Sequence, residues 1–248
     1  LILAAPLAIA AQELGKMYRI GVLEIVDEAS NTSNLSAFRQ GLGELGYVEG
    51  RNVVIEYRSA DGHPERFSDL ATELVRLKVD IIMAPSSIYT GAAKHATSTI
   101  PIVFMSHADP LGTSHVASLS RPGGNVTGLS SQTEDILPKM MEIFSGILPR
   151  QATVAVFLQG GSEVHPRMWE QLVPIARSLK LNPVRIDVAG SEDLPAAFDR
   201  ALQAKADAVL VLPDEPMFLN WRARVVELAA RHRLPAFYGA REFVDEAG

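Results

Sequence analysis

Four acidic side chains stand where a predicted strand ends, and carboxylates at such places could bind a cationic group. Glu24 and Asp27 follow the first apolar run, and Asp109 and Asp214 each follow a later one. We predict that they contact a small ligand, where they could pair with an ammonium group. Each also has a structural alternative. Asp109 could form a turn before a proline, Asp214 could cap a helix, and the first two acids could form a solvated rim.

Hydroxyl groups and glycines at other strand ends could bind the rest of the ligand. Ser86 and Ser87 separate a predicted strand from a helix, so they could hold a carboxylate at the helix N-terminus. Gly161 and Ser162 occupy the matching place in the second half of the chain, where glycine allows close backbone approach. Helix capping by Ser87 and a flexible loop at Gly161 are the alternatives. Tyr238, the last residue of its strand, could stack on an apolar ligand or belong to the core.

Short apolar runs alternate with helical patterns from residue 18 onward, and this alternation predicts an α/β fold with parallel sheets. In the first half, strands are predicted at 19–23, 53–57, 80–84, 100–104 and 126–129, and helices at 33–45, 65–77 and 89–96. In the second half, strands are predicted at 153–158, 183–188, 208–212 and 235–238, and helices at 134–148, 168–179, 193–204 and 219–231. The two halves therefore share the same alternation of strands and helices.

The repeated plan predicts two lobes, one from residues 18–128 and one from residues 129–240. In open parallel sheets, ligands bind outside the carboxyl ends of the strands. Two such lobes would face each other across a cleft, and the candidate residues would lie at its walls. The sequence therefore predicts a ligand site between the lobes.

Composition narrows the class of protein. The 248 residues carry 23 basic and 29 acidic side chains, a net charge of −6, and no Lys/Arg-rich run stands out, so a nucleic-acid partner is not expected. The chain has no cysteine, which excludes disulfides, thiolate catalysis and Cys-ligated zinc. The set of His107, Asp109 and His115 matches no standard spacing of metal ligands. No metal or cofactor is predicted.

The segment from Gly41 to Gly46 reads GLGELG, a literal match to the dinucleotide-binding pattern. That pattern functions only between a strand and a helix, where the helix N-terminus points at a pyrophosphate. Leu35, Phe38 and Leu42 recur at helical spacing, so the glycines are predicted to lie inside or at the end of a helix. The match does not predict a nucleotide site.

Residues 1–17 begin with the apolar run LILAAPLAIAAQ, which is too short to span a bilayer and ends in small residues. Ala8 and Ala10 fit the small-residue pattern that precedes signal cleavage. We predict a remnant of a secretory signal, and hence a periplasmic protein. A frayed or misassigned N-terminus is the alternative.

Several strings of residues resemble one known family. They are FRQGL at 38–42, LGYVEGRN at 45–52, IEYR at 55–58, ATSTIPIV at 96–103, DP at 109–110 and RPGGNVTG at 121–128. The chain resembles the ABC transporter substrate-binding proteins of the tryptophan/tyrosine uptake type over essentially all of residues 18–248. The resemblance implies a type I periplasmic binding fold, in which two Rossmann-like lobes close on a small molecule and present it to a permease.

The resemblance also implies that residues 241–248 start a segment that returns toward the first lobe, and that the chain is cut short at Gly248. The string QGGSE at 159–163, and Glu215 where relatives commonly have Asn, depart from the family pattern. Because loops set specificity, these departures leave the identity of the ligand open.

The residues and the resemblance together predict an extracytoplasmic solute receptor of an ABC importer. The expected solute is a small carboxylate-bearing molecule, with an aromatic or branched amino acid as first expectation. The expected partners are this solute and an ABC permease in the inner membrane, and the protein is expected to be a monomer and not an enzyme. A sensory domain coupled to a signalling partner is the alternative. An enzyme would need a nucleophile or general base that the candidate residues do not clearly supply.

Overall fold

The computed structural model describes residues 16–213 and 216–247. Most of the predicted signal remnant, and the candidate ligand residue Asp214, therefore lie outside the described residues. None of the helices in the described ranges is long and apolar enough to cross a membrane.

The first sheet contains five parallel strands in the order β2-β1-β3-β4-β5. Helices connect β1 to β2, β2 to β3 and β3 to β4, as expected for parallel strands, whereas residues 108–125 join β4 to β5 without a helix. The elements are β1 (Tyr18–Glu24), α1 (Thr32–Glu44), β2 (Val53–Ser59), α2 (Phe67–Arg76), β3 (Ile81–Met83), α3 (Ser87–Ala96), β4 (Ile102–His107) and β5 (Val126–Ser130).

The second sheet contains four parallel strands in the order β7-β6-β8-β9. Its elements are α4 (Leu137–Ile147), β6 (Thr153–Gln159), α5 (His165–Ser178), β7 (Asn182–Val188), α6 (Leu194–Gln203), β8 (Ala208–Val211), α7 (Pro216–Asn220), α8 (Arg222–His232), β9 (Ala236–Tyr238) and α9 (Glu242–Ala247). The prediction of an α/β fold with two sets of parallel strands is confirmed.

Both faces of the second sheet are buried, and β6 shows why its sequence is an unbroken apolar run. Ala155 and Phe157 point into one core, with α6 and α8. Val154 and Val156 point into another, with α4 and α5. Because successive side chains of a strand face opposite sides, a strand covered on both sides needs apolar residues at every position.

The core of the first sheet packs α2 closely against β1. Leu23, Leu74 and Tyr89 are fully buried in it. Gly21 permits the contact, because a Cβ atom at that position would lie 2.9 Å from the Leu74 side chain. The Leu74 side chain would therefore have to shift if residue 21 carried a side chain.

The structure can be compared with three predictions, which concern the helix at 219–231, the segment 241–248 and the glycines of GLGELG. The single helix predicted at 219–231 is two helices, because Trp221 leaves helical dihedrals between α7 and α8. Phe243, in the segment expected to return toward the first lobe, lies in α9 and packs into the core of the second sheet. Gly41 and Gly43 lie inside α1, which confirms the helical interpretation of GLGELG.

Candidate functional site

A cavity of about 290 Å³ lies where the carboxyl ends of the two sheets meet. The first sheet contributes Glu24 at the end of β1, Ser86 after β3 and Ser106 in β4. The second sheet contributes Pro213 after β8 and Gly239 after β9. This is the place at which open parallel sheets bind ligands, and the volume is near the lower end for small-molecule sites.

The two walls of this cavity differ in character. On the side of the first sheet, Asn34 donates to the Oδ1 atom of Asn31 at 2.9 Å, and both amides line the cavity. On the side of the second sheet, the lining is largely apolar and includes Phe218, Leu219 and Phe243. Within the described residues, the lining contains no lysine, arginine or histidine. The cavity therefore suits a small molecule with one polar end and one apolar end.

Glu24 is the one acidic residue in the described lining of this cavity. Its Oε2 atom accepts hydrogen bonds from the Ile25 N–H at 2.9 Å and from the Tyr89 hydroxyl at 3.2 Å. Burial raises the pKa of the Glu24 carboxyl group, and these two hydrogen bonds oppose the rise. The position at the end of a central strand holds the carboxyl group in place.

Ser86 and Ser87 lie at the start of α3, as predicted. Ser86 is the N-cap residue but its side chain makes no capping hydrogen bond, and it lines the cavity. Ser87 is the first helical residue and is fully buried. The N-cap residue of α3 is therefore Ser86 and not Ser87. A role of both serines in ligand binding stays a prediction.

The other two described acidic candidates lie away from the cavity. Asp109 accepts a hydrogen bond from the Gly112 N–H at 2.6 Å and pairs with the Arg167 Nε at 2.9 Å. Asp27 is exposed and accepts from the Ser30 N–H at 2.7 Å. Neither carboxylate lines the 290 Å³ cavity.

The candidates in the second half of the chain are also separated from this cavity. Gly161 lines a different cavity of about 490 Å³, together with Glu163. Ser162 accepts hydrogen bonds from the N–H groups of Val164 and His165 at 3.1 and 3.0 Å. The ring of Tyr238 stacks on Phe243 at a centroid distance of 4.5 Å, and Phe243, not Tyr238, lines the cavity.

A buried histidine that the sequence did not single out connects two strand ends below the cavity. His165 accepts a hydrogen bond from the Gln159 N–H at 2.8 Å and donates to the Pro213 carbonyl at 2.9 Å. Burial lowers its pKa to about 4, so the ring is neutral at neutral pH. Gln159 in turn accepts from the Met217 N–H at 3.0 Å. These bonds fix β6, β8 and α7 relative to one another.

A second set of contacts joins the loop after β4 to the loop after β6. His107 and His115 are hydrogen-bonded through Nε2 and Nδ1 at 2.7 Å, and the His115 Nε2 lies 3.3 Å from the Glu163 carboxylate. Burial lowers the pKa of His107 to about 3 and that of His115 to about 4. No group of three or more potential ligand side chains in the described ranges is placed to hold a metal ion.

Sequence reasoning missed Asn31, Asn34 and Phe243 as lining residues. The two asparagines are adjacent to the strand end at Glu24 in the fold, and their place after β1 was the available signal. No pattern in the sequence indicated Phe243, because α9 reaches the cavity only through its packing on the second sheet.

Two facing parallel α/β sheets with a cavity between their carboxyl ends define the type I periplasmic binding architecture. The chain belongs to the family of ABC transporter substrate binding proteins, whose family model matches residues 19–248.

Individual relatives agree with this assignment. The chain is 27% identical over 221 residues to a tyrosine-binding protein of Clostridioides difficile, covering 89% of this chain but only 63% of the relative. A conserved domain protein of Vibrio cholerae is 26% identical, with a TM-score of 0.79 and coverage of 93% of this chain and 77% of that one. An ABC domain of Streptococcus pneumoniae in complex with L-Trp has a TM-score of 0.77 at 22% identity, covering 94% and 77%. The last similarity concerns the fold alone.

Proposed function

We propose that this protein is the extracytoplasmic receptor of an ABC importer and that it captures a small carboxylate-bearing molecule, an amino acid, in the 290 Å³ cavity. The observation that carries the proposal is the position of this cavity, between the carboxyl ends of both sheets, in a chain of the substrate-binding family. The names of the Clostridioides difficile and Streptococcus pneumoniae proteins favour an aromatic amino acid as ligand.

The polarity of the walls suits such a ligand. A carboxylate would lie near Ser86, where the N-terminus of α3 presents backbone N–H groups and a favourable dipole. An apolar side chain would pack against Phe218 and Leu219 on the other wall. The remaining candidates stay predicted contacts, and a change in the angle between the lobes would have to bring them to the ligand. They are Asp27, Ser87, Asp109, Gly161, Ser162, Asp214 and Tyr238.

In this proposal, residues 18–128 and 129–240 are two lobes that close on the ligand by hinge motion. The ion pair of Arg167 with Asp109 and the contact of Glu163 with His115 join the two sheets in the structure. Such contacts would stabilise the arrangement in which the ligand is enclosed. The permease would recognise that arrangement, and ATP hydrolysis would belong to the partner chains. The proposed receptor is monomeric, periplasmic and not an enzyme.

A thermal-shift screen tests the proposal. The protein is heated with members of an amino-acid, organic-acid and aromatic-acid library, because a ligand that binds only the folded state raises the melting temperature. At a concentration of about 100 times Kd, the stabilisation is about 2.7 kcal/mol. We expect L-tyrosine or L-tryptophan to give a reproducible shift. A flat screen, or turnover of a library compound, would contradict the proposal.

A further inference from the structure

We infer that Glu24 selects ligands with a protonated amino group and that binding such a ligand releases a proton from its carboxyl group. This inference rests on the proposed function of the cavity as a receptor site. In the step proposed, at a pH low enough for the carboxyl group to be neutral before binding, this group loses its proton to the solvent, and the resulting carboxylate pairs with the ammonium group of the ligand. No bond within the ligand is formed or broken.

The two oxygens of Glu24 differ in their surroundings. Oε2 accepts both available donors, the Ile25 N–H and the Tyr89 hydroxyl. Oε1 has no hydrogen-bond partner among the described residues, and the side chain lines the cavity. An ammonium group carries three N–H donors and no acceptor, so it complements an oxygen in this situation.

The backbone around Glu24 holds the side chain rigidly. The residue pairs with Ser59 at the end of the β1–β2 ladder, and its carbonyl accepts from the Ala60 N–H at 2.8 Å. Tyr89, which holds Oε2, is fully buried and packs edge-on against Phe67 at a centroid distance of 4.7 Å. A rigid acceptor discriminates between ligands because it cannot move to bind a different group.

The charges around Glu24 favour a neutral carboxyl group before the ligand binds. The titratable groups beside it are Tyr57 from β2 and Tyr89 from α3. Neither side chain is a cation, and within the described residues α1 and the second sheet add no charged side chain to the lining. Without a nearby cation, burial favours the neutral carboxyl group, and its pKa is raised. A bound ammonium supplies the missing cation.

The sign of the pH dependence follows from this change. The pKa of Glu24 is raised before binding and is lowered by the ammonium group of the ligand. At pH values near or below the raised pKa, binding therefore releases a proton, and affinity for an amino-bearing ligand rises as the pH rises through this range. Above that range, the carboxylate is already formed and affinity becomes independent of pH.

Three probes separate the contributions of the two ends of the ligand. They are L-tyrosine, tyramine, which has no carboxylate, and 3-(4-hydroxyphenyl)propanoate, which has no amino group. Calorimetric titrations at pH 5 in two buffers of different ionisation enthalpy give the affinity and the number of protons released. We expect L-tyrosine to bind with proton release, tyramine to bind more weakly but with the same release, and the propanoate to bind at least about 30-fold more weakly than L-tyrosine.

Matched variants assign the effect to Glu24. Glu24→Gln is expected to weaken L-tyrosine binding by about 30-fold or more and to abolish proton release. Glu28→Gln is the control, because Glu28 is exposed and pairs with Arg39 outside the cavity. Tyr89→Phe removes one donor from Oε2 and should extend proton release to higher pH. It keeps the test decisive if Glu24→Gln unfolds.

The outcomes distinguish a failure of the inference about Glu24 from a failure of the proposed receptor function. Binding of the propanoate as tight as that of L-tyrosine overturns the inference but leaves a receptor for carboxylates. Unchanged affinity and proton release in Glu24→Gln, or in Tyr89→Phe if Glu24→Gln unfolds, also overturns it. A wild-type protein that binds none of the three probes, and no other amino acid or amine, overturns the inference together with the proposed amino-acid receptor.

Discussion

Arg167 donates from Nε to the Oδ2 atom of Asp109 at 2.9 Å and thereby joins the start of α5 to the loop after β4. The Asp109 side chain is only 12% exposed and also accepts from the Gly112 N–H. The two residues are 58 positions apart in the chain. The ion pair therefore connects the two halves of the fold.

Loss of this ion pair should weaken ligand binding. Arg167→Ala leaves the carboxylate of Asp109 with one donor and removes a contact between the lobes. Because Arg167 itself is 44% exposed, solvent screening limits the effect to about 1 kcal/mol, or about fivefold in Kd. Calorimetric titration with L-tyrosine measures it. Arg185→Ala is the control, since the pair of Arg185 with Asp187 lies within β7 and both partners are exposed. Equal affinities of the two variants would contradict a role for the interlobe pair.

Acidification should destabilise the fold through its buried histidines. The pKa of His165 is about 4 in the folded protein, against about 6.5 in an unfolded chain. A depressed pKa contributes stability above pH 6.5 that is lost as the pH falls toward 4, because the unfolded state then binds more protons. The His107 and His115 rings, with pKa values of about 3 and about 4, contribute in the same direction.

Urea denaturation at pH 7, 6 and 5 measures this dependence. Each neutral buried histidine contributes a slope of about 1.4 kcal/mol per pH unit below pH 6.5. His165→Gln should lower the free energy of unfolding at pH 7 but flatten its pH dependence by about that slope. His63→Gln is the control for the substitution itself, because the side chain of His63 is 55% exposed. The same slope in wild type and His165→Gln would show that His165 is not held neutral by the fold.

A side chain at Gly128 should disrupt the edge of the first sheet. Gly128 has a φ of +157°, and a Cβ atom there would lie 2.0 Å from the Phe104 carbonyl oxygen. We expect Gly128→Ala to lower the free energy of unfolding by about 3 kcal/mol, because backbone atoms of β4 and β5 must separate. Gly124→Ala, where no atom lies within 4 Å of the added methyl group, should change it by less than about 0.5 kcal/mol. Similar chemical denaturation curves for both variants would contradict the packing of this edge.

Local patterns made most of the fold predictable from the sequence. The apolar run at 153–158 became β6 at Thr153–Gln159, because burial on both faces leaves an unmistakable pattern. The rule that ligands bind at the carboxyl ends of strands predicted Glu24 and Ser86, which both line the cavity. The break at Trp221 was not predicted, because helical periodicity continues across it.

Contacts between distant segments could not be predicted in the same way. Asp109 was expected in the cavity because it follows a strand, yet Arg167 holds it elsewhere, and no local signal pairs these residues. Phe243 reaches the cavity only because α9 packs on the second sheet. Such positions depend on the tertiary arrangement. The hydrophobic periodicity of the sequence, with a period of 3.6 residues for helices and 2 for strands, does not encode it.

One calorimetric titration tests most directly whether the ligand binds in the cavity between the sheets. Asn34 lines the cavity and is exposed, so Asn34→Trp would fill its mouth without entering the core. Ser36, also exposed and also on α1, does not line the cavity, and Ser36→Trp is the matched control. With L-tyrosine or L-tryptophan as ligand, we predict that Asn34→Trp binds at least about tenfold more weakly than wild type and that Ser36→Trp binds equally well. Equal binding by wild type and Asn34→Trp would place the ligand elsewhere and contradict the account.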